Sequence, residues 1–477
     1  MTNAVPPPHR RGIFCNRTLN MRSIQAIGYD MDYTLIHYHV DEWERRAYTY
    51  AKQKMQQRGW PVADLEFDPA LVVRGLVIDT DLGNVVKANR FGYVKQAFHG
   101  TRPLAFEDQR RLYAREIIDL ATPRFVFLNT LFSLSEGCLY SQLVDRLDAR
   151  GLPEVLGYGD LYSEVKHGLD EAHLEGILKA EIAAAPDRFV ELDADTPLAL
   201  LDQQQAGKRL LLITNSEWEY TDVMMAYAFD RFLPDGKTWR DLFDLVIAQA
   251  RKPDFFSSRS PAFEVIDEEG RLRPVRQFET GGAYVGGNAQ MVEQHVALTG
   301  DEILFVGDHL FADVHVSKDI LRWRTALVLR ELEDDLAAEA EFAGRRAELD
   351  GLMAEKEALE FTLSNTRLSL QRLRKGYGPP VGKTKREIGS RVTSLRKTLE
   401  SLDRRIAPLA GAASGVSHPH WGMLMRAGNE ESLLARQVER YADIYLSRVA
   451  NFLDHTPFVY LRSPRGTLAH DVDTRHG

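Results

Sequence analysis

Five short apolar runs, each stopping at a cluster of polar residues, constrain this chain more than any other feature. Residues 24–29 run into Asp30-Met31-Asp32-Tyr33-Thr34, and 209–213 into Thr214-Asn215. Residues 242–248 precede Arg251-Lys252-Pro253, 302–306 end in Gly307-Asp308, and 325–329 end at Arg330. Runs this short, with almost no polar residue on alternate positions, leave no face for water. They predict strands buried on both sides, hence an α/β fold with a parallel sheet covered by helices. In such sheets ligands sit beyond the carboxyl ends of the strands, which is where each polar cluster falls.

The remaining segments set the domain plan. At 477 residues the chain exceeds one ordinary core, so two or three domains are expected. Residues 1–20 read as a flexible tail, and 21–40 with 190–330 as a discontinuous parallel-sheet core. Residues 41–189 form an insertion after the first motif, a candidate cap, with a strand pair at 75–79 and 84–89 turned by Asp81-Leu82-Gly83. Residues 331–410 are rich in Ala, Glu, Arg and Leu. There Ile388, Val392, Leu395, Leu399, Leu402 and Ile406 recur in steps of four and three, the seam of a coiled coil. Gly376-Tyr377-Gly378-Pro379-Pro380 breaks the helix, so an antiparallel helical hairpin is expected. Residues 411–477 regain ordinary patterning and are expected to pack back on the core.

Bulk charge narrows the partners. With 60 Lys and Arg against 69 Asp and Glu, the net charge is -9, so the expectation is no nucleic-acid and no membrane partner. Two cysteines, Cys15 and Cys138, suggest neither a disulfide framework nor a zinc site. The start of the chain lacks the apolar run of a signal peptide and no stretch is long enough to span a bilayer. A cytoplasmic location is the expectation.

Asp30-x-Asp32-x-Thr34 alone is a weak signal, because Asp is common at strand ends, and Lys252 alone is more often a surface lysine. Their company gives them weight: four strand ends, in order, carry what one phosphoryl-transfer site needs. A phosphate monoester repels nucleophiles until its charge is neutralised. Oxygen ligands holding Mg²⁺ do that, and Asp30, the carbonyl of Asp32, Asp308 and Asp313 are the candidates. Lys252 supplies fixed positive charge, and Thr214 and Asn215 supply hydrogen bonds to the phosphoryl oxygens. Asp30 is the candidate nucleophile and Asp32 the candidate general acid and base. His309 is read as a packing or capping residue, and His37 and His39 as structural.

These motifs, in this order, resemble the haloacid dehalogenase superfamily of phosphatases. Asp-Met-Asp-Tyr-Thr-Leu (30–35), Ala-Arg-Lys-Pro-Asp-Phe-Phe (250–256) and Gly-Asp-His-Leu-Phe-Ala-Asp (307–313) resemble the cytosolic purine 5′-nucleotidases acting on IMP and GMP. So do Leu-Asn-Thr-Leu-Phe (128–132), Gly-Gly-Asn (286–288), Trp-Arg-Thr (323–325) and Arg-Tyr-Ala-Asp-Ile-Tyr (440–445). The resemblance implies a Rossmann-like core with a cap inserted after the first motif, an aspartyl-phosphate on Asp30, a base pocket supplied by that cap, and a homo-oligomer, dimer or tetramer. It implies a purine nucleoside monophosphate as substrate and allows a nucleoside as phosphate acceptor. Phe132 matches the aromatic that stacks on the base, and Asp170, His173 and Lys179 match further nucleotide contacts. Ser133 stands where the family has an asparagine. Asn129 and Phe311 match an effector site of the vertebrate members, but Asp119 and Asp319 fall where that site has cations. ATP activation through that site is therefore not expected.

Two other readings compete with the nucleotidase. One is a phosphatase of another small phosphorylated metabolite. The other is a catalytically idle scaffold that binds partners through the hairpin, against which the complete set Asp30, Asp32, Thr214, Lys252 and Asp308 argues.

Overall fold

The computed structural model describes residues 9–152, 155–174, 176–267 and 270–466, apart from the side chains of 172–174. Its contacts divide the chain into two units, Met1–Glu333 with Leu424–Gly477, and Asp334–Met423.

The first unit is organised by a ten-stranded sheet. From edge to edge its strands are Ile13–Cys15, Ile444–Leu446, Arg324–Val328, Ile303–Gly307, Ala26–Tyr29, Arg209–Ile213, Leu245–Ala248, Gly282–Gly286, Ala262–Val265 and Leu272–Val275. The seven from Ile444–Leu446 to Gly282–Gly286 are mutually parallel. Antiparallel strands close both edges. Alternate residues feed opposite faces: Leu304, Val306 and Leu212 enter one apolar cluster, and Ile303, Phe305 and Leu211 the other. Both faces are thus covered, as strands without a polar face require.

Strand order places the site. After Ala26–Tyr29 the chain builds outward on one side through Arg209–Ile213, Leu245–Ala248 and Gly282–Gly286. It then returns to Ile303–Gly307 on the other side. The connections diverge above Ala26–Tyr29, which opens a crevice at the carboxyl ends of the strands there.

Residues 13–20 depart from the expected flexible tail. Ile13–Cys15 pairs with Ile444–Leu446, and Leu19–Asn20 pairs with Tyr460–Leu461. Both partners lie more than 400 residues later, so no local pattern announces the pairing. The segment between Asp32 and Thr214 contains a separate antiparallel sheet in the order Arg102–Pro103, Val94–His99, Asn84–Ala88, Val77–Asp79, Phe125–Phe127. Helices Val40–Gln57, Leu134–Asp148 and Tyr158–Leu174 accompany it.

The second unit holds all but the first two residues of the helix Leu332–Lys375, and the whole of the helix Lys385–Ser414. The second runs through Pro408, so the helical segment extends beyond the expected limit at 410. The Ala-rich residues that follow Pro408 carry it on. Leu349 and Leu352 pack with Leu402 and Ile406, and Lys356 pairs with Asp403 at 2.7 Å. Thr384 caps the second helix in a reciprocal bond with Glu387.

Candidate active site

The turn after Ala26–Tyr29 aims two carboxylates at the crevice. The Met31 carbonyl accepts the backbone N–H groups of Thr34, Leu35 and Ile36. Tyr33 takes φ = 53°, a left-handed conformation that a buried aromatic adopts only where its surroundings fix it. Asp30, Asp308 and Asp313 are buried, and one oxygen of each lies within 4.8 Å of the others. Gly307 makes this possible: a Cβ there would stand 2.4 Å from Asp313 Oδ2.

Lys252 balances the cluster, its Nζ 2.7 Å from both Asp30 Oδ1 and Asp313 Oδ1. Burial alone would lower the Lys252 pKa, but the two carboxylates outweigh it and hold the amine charged. Burial pushes Asp30 up to about 6 against the pull of Lys252, and raises Asp308 well above the usual carboxylate range against that of Arg74. Three buried carboxylates facing one ammonium are short of positive charge. An all-oxygen donor set with that deficit suits a hard divalent cation, with no thiolate or imidazole to favour zinc.

Asp32 stands apart from the cluster. Its Oδ1 accepts from Tyr38 Oη at 2.5 Å and its Oδ2 from Ser216 Oγ at 2.5 Å. Burial raises its pKa, opposed by Lys179 and the two hydroxyls. Lys179 Nζ donates to Ser216 Oγ at 3.1 Å and pairs with Glu217 at 2.9 Å.

One cavity of about 670 Å³ brings together Asp30, Asp32, Phe132, Asp170, Lys179, Thr214, Asn215, Lys252, Asp308 and Asp313. His173 belongs to the helix Tyr158–Leu174, but its side chain lies outside the described residues. Asn215 lines the cavity and also braces it. Its side chain bonds both backbone groups of Lys252, donating to O at 3.0 Å and accepting from N at 2.6 Å. It therefore holds the Lys252 loop in place. His309 caps the turn after Asp308, its Nδ1 accepting from the Ala312 amide at 2.9 Å.

Sequence reasoning missed several neighbours. Trp43 lines the cavity beside Phe132, ring centroids 5.4 Å apart. Thr130 Oγ1 donates to Asp308 Oδ2 at 3.2 Å. Arg74, fully buried, bonds the carbonyls of Asn129, Val328 and Asp308. Ser216 and Thr130 lie inside or next to motifs already singled out. Tyr38, Trp43 and Arg74 carry no local signal, because only the fold brings them to the crevice.

Fold and site together define a doubly wound α/β protein with a carboxylate–lysine centre at its topological switch point. The chain belongs to the 5′ nucleotidase family, whose model matches residues 13–473. A 5′-nucleotidase domain-containing protein of Dictyostelium discoideum is 25% identical over 484 residues, covering 98% of this chain and 76% of the relative. Human 5′-nucleotidase domain-containing protein 2 is 29% identical over 360 residues, covering 70% and 67%. The rat protein of that name is 26% identical over 479 residues, covering 96% and 80%. Among solved structures, an archaeal β-phosphoglucomutase of a Pyrococcus strain is similar at a TM-score of 0.31 and 10% identity, covering 64% of this chain and 86% of its own. Among the described residues no helix is long and apolar enough to cross a membrane.

Proposed function

We propose that the chain is a magnesium-dependent phosphatase of purine nucleoside 5′-monophosphates, IMP and GMP foremost, of the haloacid dehalogenase type. The observation that carries this reading is the buried Asp30–Asp308–Asp313 cluster balanced by Lys252, in a cavity walled by Phe132 and Trp43. Asp30, Asp308 and Asp313 would hold the cation, which when bound supplies the positive charge a doubly charged phosphate needs.

The chain's own residues account for the remaining steps. Lys252 fixes Asp30 and offers charge to the phosphoryl oxygens. A carboxylate oxygen of Asp30 attacks phosphorus, the bond to the 5′ oxygen breaks, and Asp32 delivers a proton to that oxygen. Burial suits Asp32 to this task by raising its pKa, while Tyr38 and Ser216 fix its direction. Asp32 then takes a proton from the water that splits the aspartyl-phosphate, restoring both carboxyl groups. A nucleoside hydroxyl entering in place of water would accept the phosphoryl group instead. Phe132 and Trp43 offer ring faces to the base, and Asp170 and Lys179 stand near as polar contacts.

The test is phosphate release over a panel of nucleoside monophosphates and sugar phosphates, with Asp30→Asn as the control. IMP and GMP should give the highest kcat/KM, and Asp30→Asn should lose roughly 10⁴-fold or more with its fold intact. A sugar phosphate as best substrate would reject the nucleotidase reading. Near-normal turnover by Asp30→Asn would reject the nucleophile.

A further inference from the structure

The chain-wide charge of -9 averages over a strongly uneven distribution. Between residues 361 and 399, where the two helices of the second unit join, stand ten Lys or Arg and one acid, Glu387. That acid is spent on capping the second helix through Thr384. Among the described residues none of the ten cations forms an ion pair, whereas Lys356, further down the first helix, pairs with Asp403. Nine of the ten are exposed. Net charge +9 confined to the end of two helices is self-repulsive, and folding alone gives no reason to concentrate it.

The same end is grooved. A cavity of about 1160 Å³ between the helices is lined by Arg372, Lys383 and Arg391, by the capping Glu387 and by Phe361. Phe361 is 74% exposed, and Arg372 Nε is buried with no hydrogen-bond partner. Cations spaced along a groove, in threefold excess over its one carboxylate, and an exposed aromatic face are what a single strand of nucleic acid requires: charge for its phosphates, a platform for a base.

We propose that this joined end binds single-stranded nucleic acid, with phosphates on Arg372, Lys383 and Arg391 and a base stacked on Phe361. A bilayer fits the groove less well. It is flat, and the turn between the helices offers it one aromatic, Tyr377, whose hydroxyl is bonded to Gln371 at 2.7 Å. An acidic peptide would meet the cations but has no reason to need the exposed ring.

The experiment is fluorescence anisotropy of labelled RNA and DNA oligomers of about 20 nucleotides with the full chain. Binding is expected, and with about three phosphate contacts it should weaken roughly 20-fold between 50 and 200 mM salt. Lys383→Glu/Arg391→Glu should abolish binding. Lys383→Gln/Arg391→Gln should weaken it at least tenfold, with unchanged circular dichroism and thermal midpoint in both variants. Phe361→Ala should weaken binding about tenfold and leave the salt slope unchanged, which a purely electrostatic contact would not do. The proposal is overturned by absence of binding at 50 mM salt, or by equal binding of the charge variants. It is also overturned if the chain sediments with phosphatidylserine–phosphatidylcholine vesicles through these residues while ignoring the oligomers.

Discussion

Glu44 should make the stability of this protein fall as pH rises through neutrality. It lies on the helix Val40–Gln57 next to Trp43 and is fully buried. Its Oε2 accepts the backbone N–H of Ser135 at 2.8 Å, in the first turn of the helix Leu134–Asp148, just after Phe132. Glu44 thus ties together the two segments that carry the aromatic wall of the cavity. Burial pushes its pKa from 4.5 up to about 8, against the Ser135 bonds. Below about 4.5 the folded and unfolded states both hold the proton, and its contribution to stability is fully present. Between the two values only the unfolded chain ionises, so stability is lost progressively until pH passes the folded pKa. At about 1.4 kcal/mol per unit, the upper bound is about 5 kcal/mol. The Ser135 bonds are already part of that shift, and water entering around the ionised carboxylate brings the loss to about 3 kcal/mol. The perturbation is Glu44→Gln, and the assay is urea unfolding from pH 5 to pH 9, followed by tryptophan fluorescence. The wild type should lose about 3 kcal/mol more than Glu44→Gln over that range. Stability curves that run parallel in the two proteins would refute the argument, because the slope would then come from other groups.

Three further outcomes follow from the site. Chelator should abolish turnover and Mg²⁺ restore it, and Mg²⁺ should raise the thermal midpoint by relieving repulsion among Asp30, Asp308 and Asp313; better rescue by zinc would overturn the oxygen-ligand assignment. Phe132→Ala should raise KM for IMP about tenfold or more with kcat little changed, and an equal fall in kcat would place the ring in the chemistry rather than in binding. ATP should not activate IMP hydrolysis, because the Asp319 carboxylate, 3.0 Å from the His315 ring that packs on Phe311, offers a polyphosphate repulsion. Several-fold activation that disappears in Phe311→Ala would show the opposite.

Much of the site was legible because its residues sit at strand ends, where an apolar run and the polar cluster after it are adjacent in sequence. Asp30, Thr214, Lys252 and Asp308 could be picked from four such places, and parallel pairing is what brings those ends to one crevice. Asn215 shows where that reading stops. Its type suits a phosphate donor, but only the approach of the Lys252 backbone reveals what its amide bonds. The groups that aim the reactive side chains were less visible. Tyr38 reaches Asp32 because the chain folds back after the turn at Tyr33. Arg74 reaches the Asp308 carbonyl across 234 positions, and Trp43 meets Phe132 only when two helices pack.

The sequence by itself determined the buried parallel strands, the polar cluster at each carboxyl end and the helical pattern of the second unit, because each is a local periodicity or a fixed spacing. Tertiary structure decided which strands are neighbours, the edge pairing of Ile13–Cys15 with Ile444–Leu446, and the partners of each buried charge. Those depend on contacts between distant segments, where a hydrogen bond or a carboxylate's surroundings is set by whatever the whole fold brings alongside it and not by the residues next to it in the chain.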